Sequence, residues 1–377
     1  IEWCDTPHQR QSGVAYADAI ILYDQGNKPL IFAKTRSPAN NKYVGFTRNL
    51  LSALDPVLKA AVERTQQSYE RTFWANADAL ECMQAGEALA KRRINVDTFF
   101  MLLGPGGVGL SVFSAALAAR YGNDHKYFDP NIFYIDEDLR KQIENMATGL
   151  FFTGQEKPEA GRKTFKIDLF NKFATAEGIH GRLPYSILTK IFELNGWKRL
   201  EMNTMSRFDG VTEAGFNAIL RRSLLIKISA RFFDGKYLQK CFPNHEEHGI
   251  FPRDPTLKEF VTSNVGIGAG IRIQFAFEMK HGEEACRVLI QDYLTGGDNG
   301  LTLKYMRHAC GLKAVDPMAR NKDEFLGQKI SNSQDDDLQD EEAKQIPIFS
   351  RDLMAHLLKT KGKLNKSGLT HMKDLPA

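Results

Sequence analysis

The chain has no apolar run of the roughly 20 residues needed to cross a bilayer, so no membrane partner is expected. It has little cysteine: Cys4, Cys82, Cys241, Cys286 and Cys310 are scattered over 377 residues, odd in number, with no Cys-x-x-Cys pair. That argues against a disulfide framework and points to a reduced intracellular compartment, nucleus or cytoplasm. A strong charge bias is missing too. Lys+Arg number 50 against Asp+Glu 46, a net charge of +4, so any nucleic-acid surface must come from local clustering. No internal repeat is found. The chain opens on Ile1 rather than Met. The natural start is therefore expected upstream, and a missing signal peptide decides little.

What is present is the composition of a globular protein, 42% hydrophobic and 25% charged. The length suits one large domain with flanking pieces, or two domains. Residues 1–48 mix strand-like pieces (19–23, 30–33) with turn residues and carry no assigned role. In residues 49–98 apolar positions recur at helical spacing: Leu51, Leu54, Val57, Leu58 and Val62 on one face, Trp74, Ala77, Leu80 and Met83 on another. Residues 99–233 alternate strand and helix signals, the pattern of an α/β core. Strands are expected at 99–103, 150–153, 197–203 and 224–229, and helices at 111–120 and 136–147. Residues 234–328 read as mostly helical (257–261, 271–281, 283–295), with the "GIGAG" of 266–270 as a loop or a close helix contact. Residues 329–377 hold an acidic linker and a basic helical tail.

The most informative stretch is "FFMLLGPGGVGLSVFSAALAARYG", an apolar strand running through a glycine-rich turn into a small-residue helix. Gly104, Pro105, Gly106, Gly107, Val108 and Gly109 satisfy G-x-G-x-x-G, the dinucleotide fingerprint, with Asp129 twenty residues after Gly109 as its ribose acid. The same loop satisfies the triphosphate pattern G-x-x-x-x-G-K-[ST] except that Leu110 replaces lysine before Ser111. Both loops work alike. Glycines permit positive φ, successive N–H groups face oxygens, and the helix N-terminus adds partial positive charge. A third reading is a tight turn with no ligand.

Downstream order separates these readings. A dinucleotide fold needs a strand soon after the first helix, and only the short "KYFD" is available. A triphosphate site needs a later apolar strand ending in acid, to hold Mg²⁺ and polarise water, and a polar residue on a neighbouring strand. "GLFFTGQE" ends on Glu156, and "WKRLEMN" on Asn203. Ser111 either reaches Mg²⁺ or merely caps the helix. Between 157 and 190 lie seven basic residues, among them Lys163, Lys166 and Arg182, with His180 and Tyr185 interleaved; this composition grips single strands or is an ordinary charged surface. Cys241, His245 and His248 have the wrong spacing for a metal helix and read as a surface turn.

With these motifs in order, the run from Trp74 to about Ile290 resembles the superfamily three helicases, of the poxvirus- and phage-type primase-helicases and plasmid replication proteins. It is most similar to diverged, mobile-element-like copies in dinoflagellate-type protist genomes. "LFFTGQE" resembles their Walker B strand and "WKRLEMN" their motif C. "DLFNKFATAEGIHGRLPYS" resembles the segment with a basic hairpin facing single-stranded DNA, and "FNAILRRSLLIKISARF" the arginine-finger segment, with the finger on Arg221 or Arg222. The resemblance implies a P-loop NTPase core of the AAA+-like ring-helicase kind, with a helical N-terminal collar and a helical C-terminal region. It also implies ATP and Mg²⁺ as cofactors, single-stranded DNA as partner, a homo-oligomeric ring, and a role in replicating a virus-like or mobile element. Two departures bear on hydrolysis: Leu110 for lysine, and Gln155 before Glu156 where a second carboxylate often stands. Two other readings stay open, an inactive DNA-binding or assembly relic and an NAD(P)-binding protein.

Overall fold

The computed structural model describes residues 13–15, 19–23, 29–33, 56–104, 106–134, 142–143, 145–155, 164–175, 178–182, 189–203, 205–235, 238, 244–296 and 305–312. Pro105, Glu156, Lys163, Cys241, the acidic linker and the basic tail lie outside them, as does most of 1–48.

The first strands, β1 (Gly13–Ala15), β2 (Ala19–Tyr23) and β3 (Pro29–Ala33), form a small antiparallel sheet. Two helices follow, α1 (Pro56–Thr72) and α2 (Ala77–Lys91), the second capped by Asn76, whose side chain accepts from the Ala79 amide.

The core then alternates strand and helix. β4 (Phe99–Leu103) leads through the glycine turn into α3 (Leu110–Tyr121), followed by β5 (His125–Phe128) and β6 (Phe151–Gln155). A short β7 (Thr164–Lys166) and α4 (Ile167–Thr175) come next, and then a hairpin of β8 (Ile179–Arg182) and β9 (Thr189–Phe192). The core closes with β10 (Trp197–Met202), β11 (Arg207–Asp209), α5 (Glu213–Arg222) and β12 (Ser223–Lys227). Beyond it lie the paired strands β13 (Arg231–Phe233) and β14 (Ile250–Pro252), then α6 (Leu257–Thr262), α7 (Asn264–Lys280) and α8 (Glu283–Gly296).

Five strands form one parallel sheet in the order β12-β4-β10-β6-β5. β10 lies between β4 and β6, with Met202 opposite Leu103 and Glu201 opposite Gln155. All five residues of β4 are buried, as its wholly apolar sequence requires when helices cover both faces. The expectation of four strands is corrected here. "KYFD" contributes β5, an edge strand whose mixed burial hides its strand signal.

The two faces differ. One packs Phe100, Leu102, Phe151, Trp197, Leu224 and Ile226 against α2, α3, α7 and α8. Here α1 packs on α7 and α2 on α8, so the N-terminal and C-terminal helices share one layer. Charges are buried in it: Lys91 pairs with Glu278 at 2.7 Å, and Glu87 takes Arg120 at 2.9 Å and the Tyr121 hydroxyl at 2.5 Å. "GIGAG" is not a loop but the start of α7. A Cβ on Gly266 would lie 2.0 Å from the Phe260 carbonyl oxygen, and one on Gly270 would lie 2.9 Å from Arg120 Cδ. The close-contact alternative for these glycines holds.

The other face is aromatic. Phe99 meets Phe133, Phe170 and Phe173 edge to face, with centroids 5.1–5.8 Å apart. Phe165 and Phe208 extend the cluster across β7 and β11.

Candidate functional site

The glycine turn leaves the C-terminal end of β4 in the sheet's plane. The Gly104 amide donates to the Met202 carbonyl at 3.0 Å, and the Ile228 amide to the Leu103 carbonyl at 2.8 Å. A Cβ on Gly104 would meet Val108 Cγ2 at 2.9 Å and Ile228 Cβ at 3.1 Å, so close packing requires glycine there. Gly107 and Gly109 have φ of +87° and +89°, which L side chains rarely adopt. A Cβ on Gly106 would meet nothing within 4 Å, so the loop opens at that point.

The loop's two following residues diverge. Leu110 is 8% exposed and belongs to the core cluster with Val108 and Phe113. Ser111 is exposed in the first turn of α3. Its reading as a cap is corrected: the cap position is Gly109, in left-handed conformation and without a side-chain cap bond.

The strand order carries two sequence-predicted elements to the same edge. β10 ends on Met202 beside Leu103, so Asn203, exposed, follows at the loop's side of the sheet. Next to it β6 ends on Gln155, also exposed. Glu156, its successor, lies outside the described residues. Asp129 is not part of this edge group. It follows β5, three strand spacings from β4, or about 14 Å across the sheet.

Below the loop lies a buried polar network that the sequence reading missed. Glu201 Oε1 accepts from the Ser114 hydroxyl, and Oε2 from Gln155 Nε2 at 3.0 Å. Arg199 Nη2 donates to Ser114 Oγ at 3.1 Å and Thr153 Oγ1 at 2.8 Å, while its guanidinium rests on the Trp197 ring. Arg199 Nε and Nη1 have no hydrogen-bond partner among the described residues. Burial raises the pKa of Glu201, against the opposing pull of Arg199, Ser114 and Gln155. Burial lowers that of Arg199. His125 joins through Thr153 Oγ1 at 2.9 Å. Burial first, then Arg199 and Lys126, hold its pKa down at about 3. Neutral His125 has one donor and one acceptor nitrogen, and its Nε2 shares this hydrogen bond with the Thr153 hydroxyl. The available signal was three charges inside "WKRLEM", two of which, Arg199 and Glu201, share one face of the strand.

Arg221 and Arg222 end α5 immediately before β12, and Ser223 is level with Phe99. They therefore lie at the sheet edge opposite the glycine loop, about 13 Å of strand away. They cannot serve the loop of their own chain. Lys166, exposed, ends β7. His180 and Arg182 sit on the hairpin, level with Ile191 and Thr189, and Ile191 is 64% exposed. The predicted basic stretch is thus spread over β7, α4 and the hairpin, with Lys172 on α4 and Lys190 on β9. His245 is buried and donates through Nδ1 to the Ile250 carbonyl at 2.8 Å, which is a structural role. Among the described residues no cluster of three His, Cys, Asp or Glu forms a metal site, and no helix is long and apolar enough to cross a membrane.

No family model and no curated protein sequence matches the chain. Among solved structures it is similar to the apo C-terminal region of NrS-1, at 11% identity and a TM-score of 0.39, covering 72% of this chain and 58% of that one. It is also similar to the JCV helicase, at 12% identity and a TM-score of 0.34, covering 64% of this chain and 65% of that one. The chain thus spans less than two thirds of each. At these scores the likeness assigns neither an activity nor a ligand to this chain.

Proposed function

We propose that the chain is a nucleoside-triphosphate-binding protein of the superfamily three helicase kind, acting on single-stranded DNA as a ring of identical subunits. The observation that carries this reading is the position of β10 between β4 and β6, which gathers the glycine loop, Asn203 and the end of β6 at one edge. In a dinucleotide fold the second strand lies beside the first. Here β5 is at the far edge and takes Asp129 with it, which argues against the NAD(P) reading.

The loop fits a phosphate group. Gly106 is open, Gly107 and Gly109 hold left-handed conformations, and Ser111 is exposed on the first helical turn. Mg²⁺, when bound, would neutralise phosphate charge and orient the outer phosphate. Ser111 and Glu156 are the residues proposed to hold it, Asn203 to orient water, and Arg221 or Arg222 to reach a neighbouring subunit's site. Leu110 supplies no ammonium, and its burial leaves the phosphates to backbone amides and the helix terminus. A lost charge-assisted contact of about 1.4 kcal/mol is already tenfold in rate. Slow or absent hydrolysis follows, and an inactive relic that still binds DNA is the second reading, favoured by that same buried leucine. The proposed setting is intracellular, in nucleus or cytoplasm, in replication of a virus-like or mobile element. Lys163, Lys166, His180 and Arg182 are the proposed DNA contacts, supported by exposed Lys166 and by exposed Ile191, the register partner of His180.

The test is titration of the chain with ATP and with NAD(H), and ATP turnover with and without single-stranded DNA. ATP binding without NAD(H) binding, with salt-sensitive DNA binding, is expected. Binding of NAD(H) alone overturns the reading.

A further inference from the structure

The end of β6 offers an amide, Gln155, where a cation-binding edge would use a carboxylate. The carboxylate is nevertheless close by. Glu201 is the register partner of Gln155 on β10, and its Oε2 accepts the Gln155 amide at 3.0 Å. Its Oε1 is held by Ser114, one helical turn below Ser111. Arg199, which donates to the same Ser114 oxygen, stands behind the carboxylate at one remove. Glu201 is therefore fixed from two sides, one layer beneath the loop, with exposed Gln155 level beside it at the end of β6.

Resting on the nucleotide reading above, we propose that Glu201 supplies from the neighbouring strand the second carboxylate that Gln155 withholds beside Glu156, and helps anchor the divalent cation that accompanies a bound nucleotide. Mg²⁺ suits this arrangement, because it keeps several waters and takes only one or two carboxylates besides phosphate oxygens. A carboxylate one layer down, with both oxygens already in hydrogen bonds, meets such an ion through its water shell. Gln155 then acts as a positioning residue, orienting Glu201 through its amide.

The experiment measures binding of a fluorescent ATP analogue to the full chain as free Mg²⁺ is varied. Four chains are compared: wild type, Glu201→Gln, Gln155→Glu, and the exchange Glu201→Gln/Gln155→Glu. Thermal unfolding is followed alongside. In wild type, Mg²⁺ should tighten binding. Glu201→Gln should need on the order of tenfold more Mg²⁺ for the same effect, the loss of one charged contact, with Mg²⁺-free affinity within about twofold of wild type. The exchange keeps one amide and one carboxylate in hydrogen bond and should recover most of the Mg²⁺ response. Equal loss with and without Mg²⁺ would reduce Glu201 to a packing role and overturn the proposal. So would an unchanged Mg²⁺ response in Glu201→Gln, or no recovery in the exchange. Wild type that binds the analogue but ignores Mg²⁺ sinks this inference alone, whereas wild type that binds no analogue at any Mg²⁺ concentration sinks the nucleotide reading with it.

Discussion

One face of the central sheet is built with charge and the other with aromatic rings. Under α3, β10 presents Trp197, Arg199 and Glu201, and the polar pair is met by Ser114, Thr153 and Gln155. On the reverse side Phe99, Phe133, Phe165, Phe170 and Phe173 close on one another with few directional bonds. Aromatic packing gives area and stability but tolerates small shifts. A buried hydrogen-bonded network is a poor source of net stability, yet it fixes its members in one geometry. The network lies beneath the loop, where β6, β10 and α3 must hold a common register if the edge residues are to work together. The aromatic face lies where nothing but cohesion is needed.

The largest test of this contrast compares Arg199→Ala with Phe133→Ala. Each should cost about 3–5 kcal/mol in denaturant unfolding, the first by stranding Ser114, Thr153 and Glu201, the second by opening a cavity. They should differ on repair. Adding Glu201→Leu to Arg199→Met should recover much of the loss, since an apolar pair replaces a desolvated one. No second truncation near Phe133 should recover anything. Equal repairability of the two faces would erase the distinction.

Acid provides the next effect. His125 has a folded pKa of about 3 against an ordinary 6.5, so it is neutral in the fold and takes up a proton first when unfolded. Its contribution is complete above pH 6.5 and is lost as pH falls toward 3. A loss of a few kcal/mol over that window is expected, and His125→Gln should flatten that part of the profile. An unchanged slope would detach His125 from the network.

Leu110→Lys should destabilise the unliganded chain by about 1–3 kcal/mol, because an ammonium enters an apolar cluster at 8% exposure. ATP should return part of that loss if the amine reaches the loop. A melting temperature equal to wild type without ATP would mean the side chain leaves the cluster freely.

The smallest effect at pH 7 belongs to Lys198, set into the aromatic side, where its amine donates to Asn95 Oδ1 at 2.9 Å and the Ala174 carbonyl at 3.2 Å. Burial holds its pKa at about 7 against an ordinary 10.5, so stability should rise as pH climbs between those values. Lys198→Met should change stability at pH 7 by no more than about 1 kcal/mol and remove that rise.

Much of the core was legible because its strands are apolar runs bounded by turns: β4, β6, β10 and β12 lie within a residue or two of expectation. β5 was read only as the short "KYFD" and left out of the core, because a four-residue edge strand with mixed burial carries almost no pattern. α7 began earlier than expected because glycines at a close helix contact read as loop. Of the site, the glycine turn and the placing of Asn203 beside it at the end of β10 were legible from order and spacing. The network was not, since nothing in the sequence places Arg199 and Glu201 in the interior until β10 is known to be the middle strand.

That central strand is the earlier of the two neighbours of β4, and even it comes late in the chain. Phe99 pairs with Lys198 on one side and Ser223 on the other, so every neighbour of the first core strand is made about a hundred residues after it. On a ribosome adding about 5–20 residues each second, "FFMLL" waits for several seconds with both edges unpaired and no charge to guard them. Synthesis of this chain therefore has a vulnerable interval that ends only when β10 emerges. A chain truncated before Trp197 should be captured by chaperones or aggregate, whereas one carried past Lys227 can close the sheet.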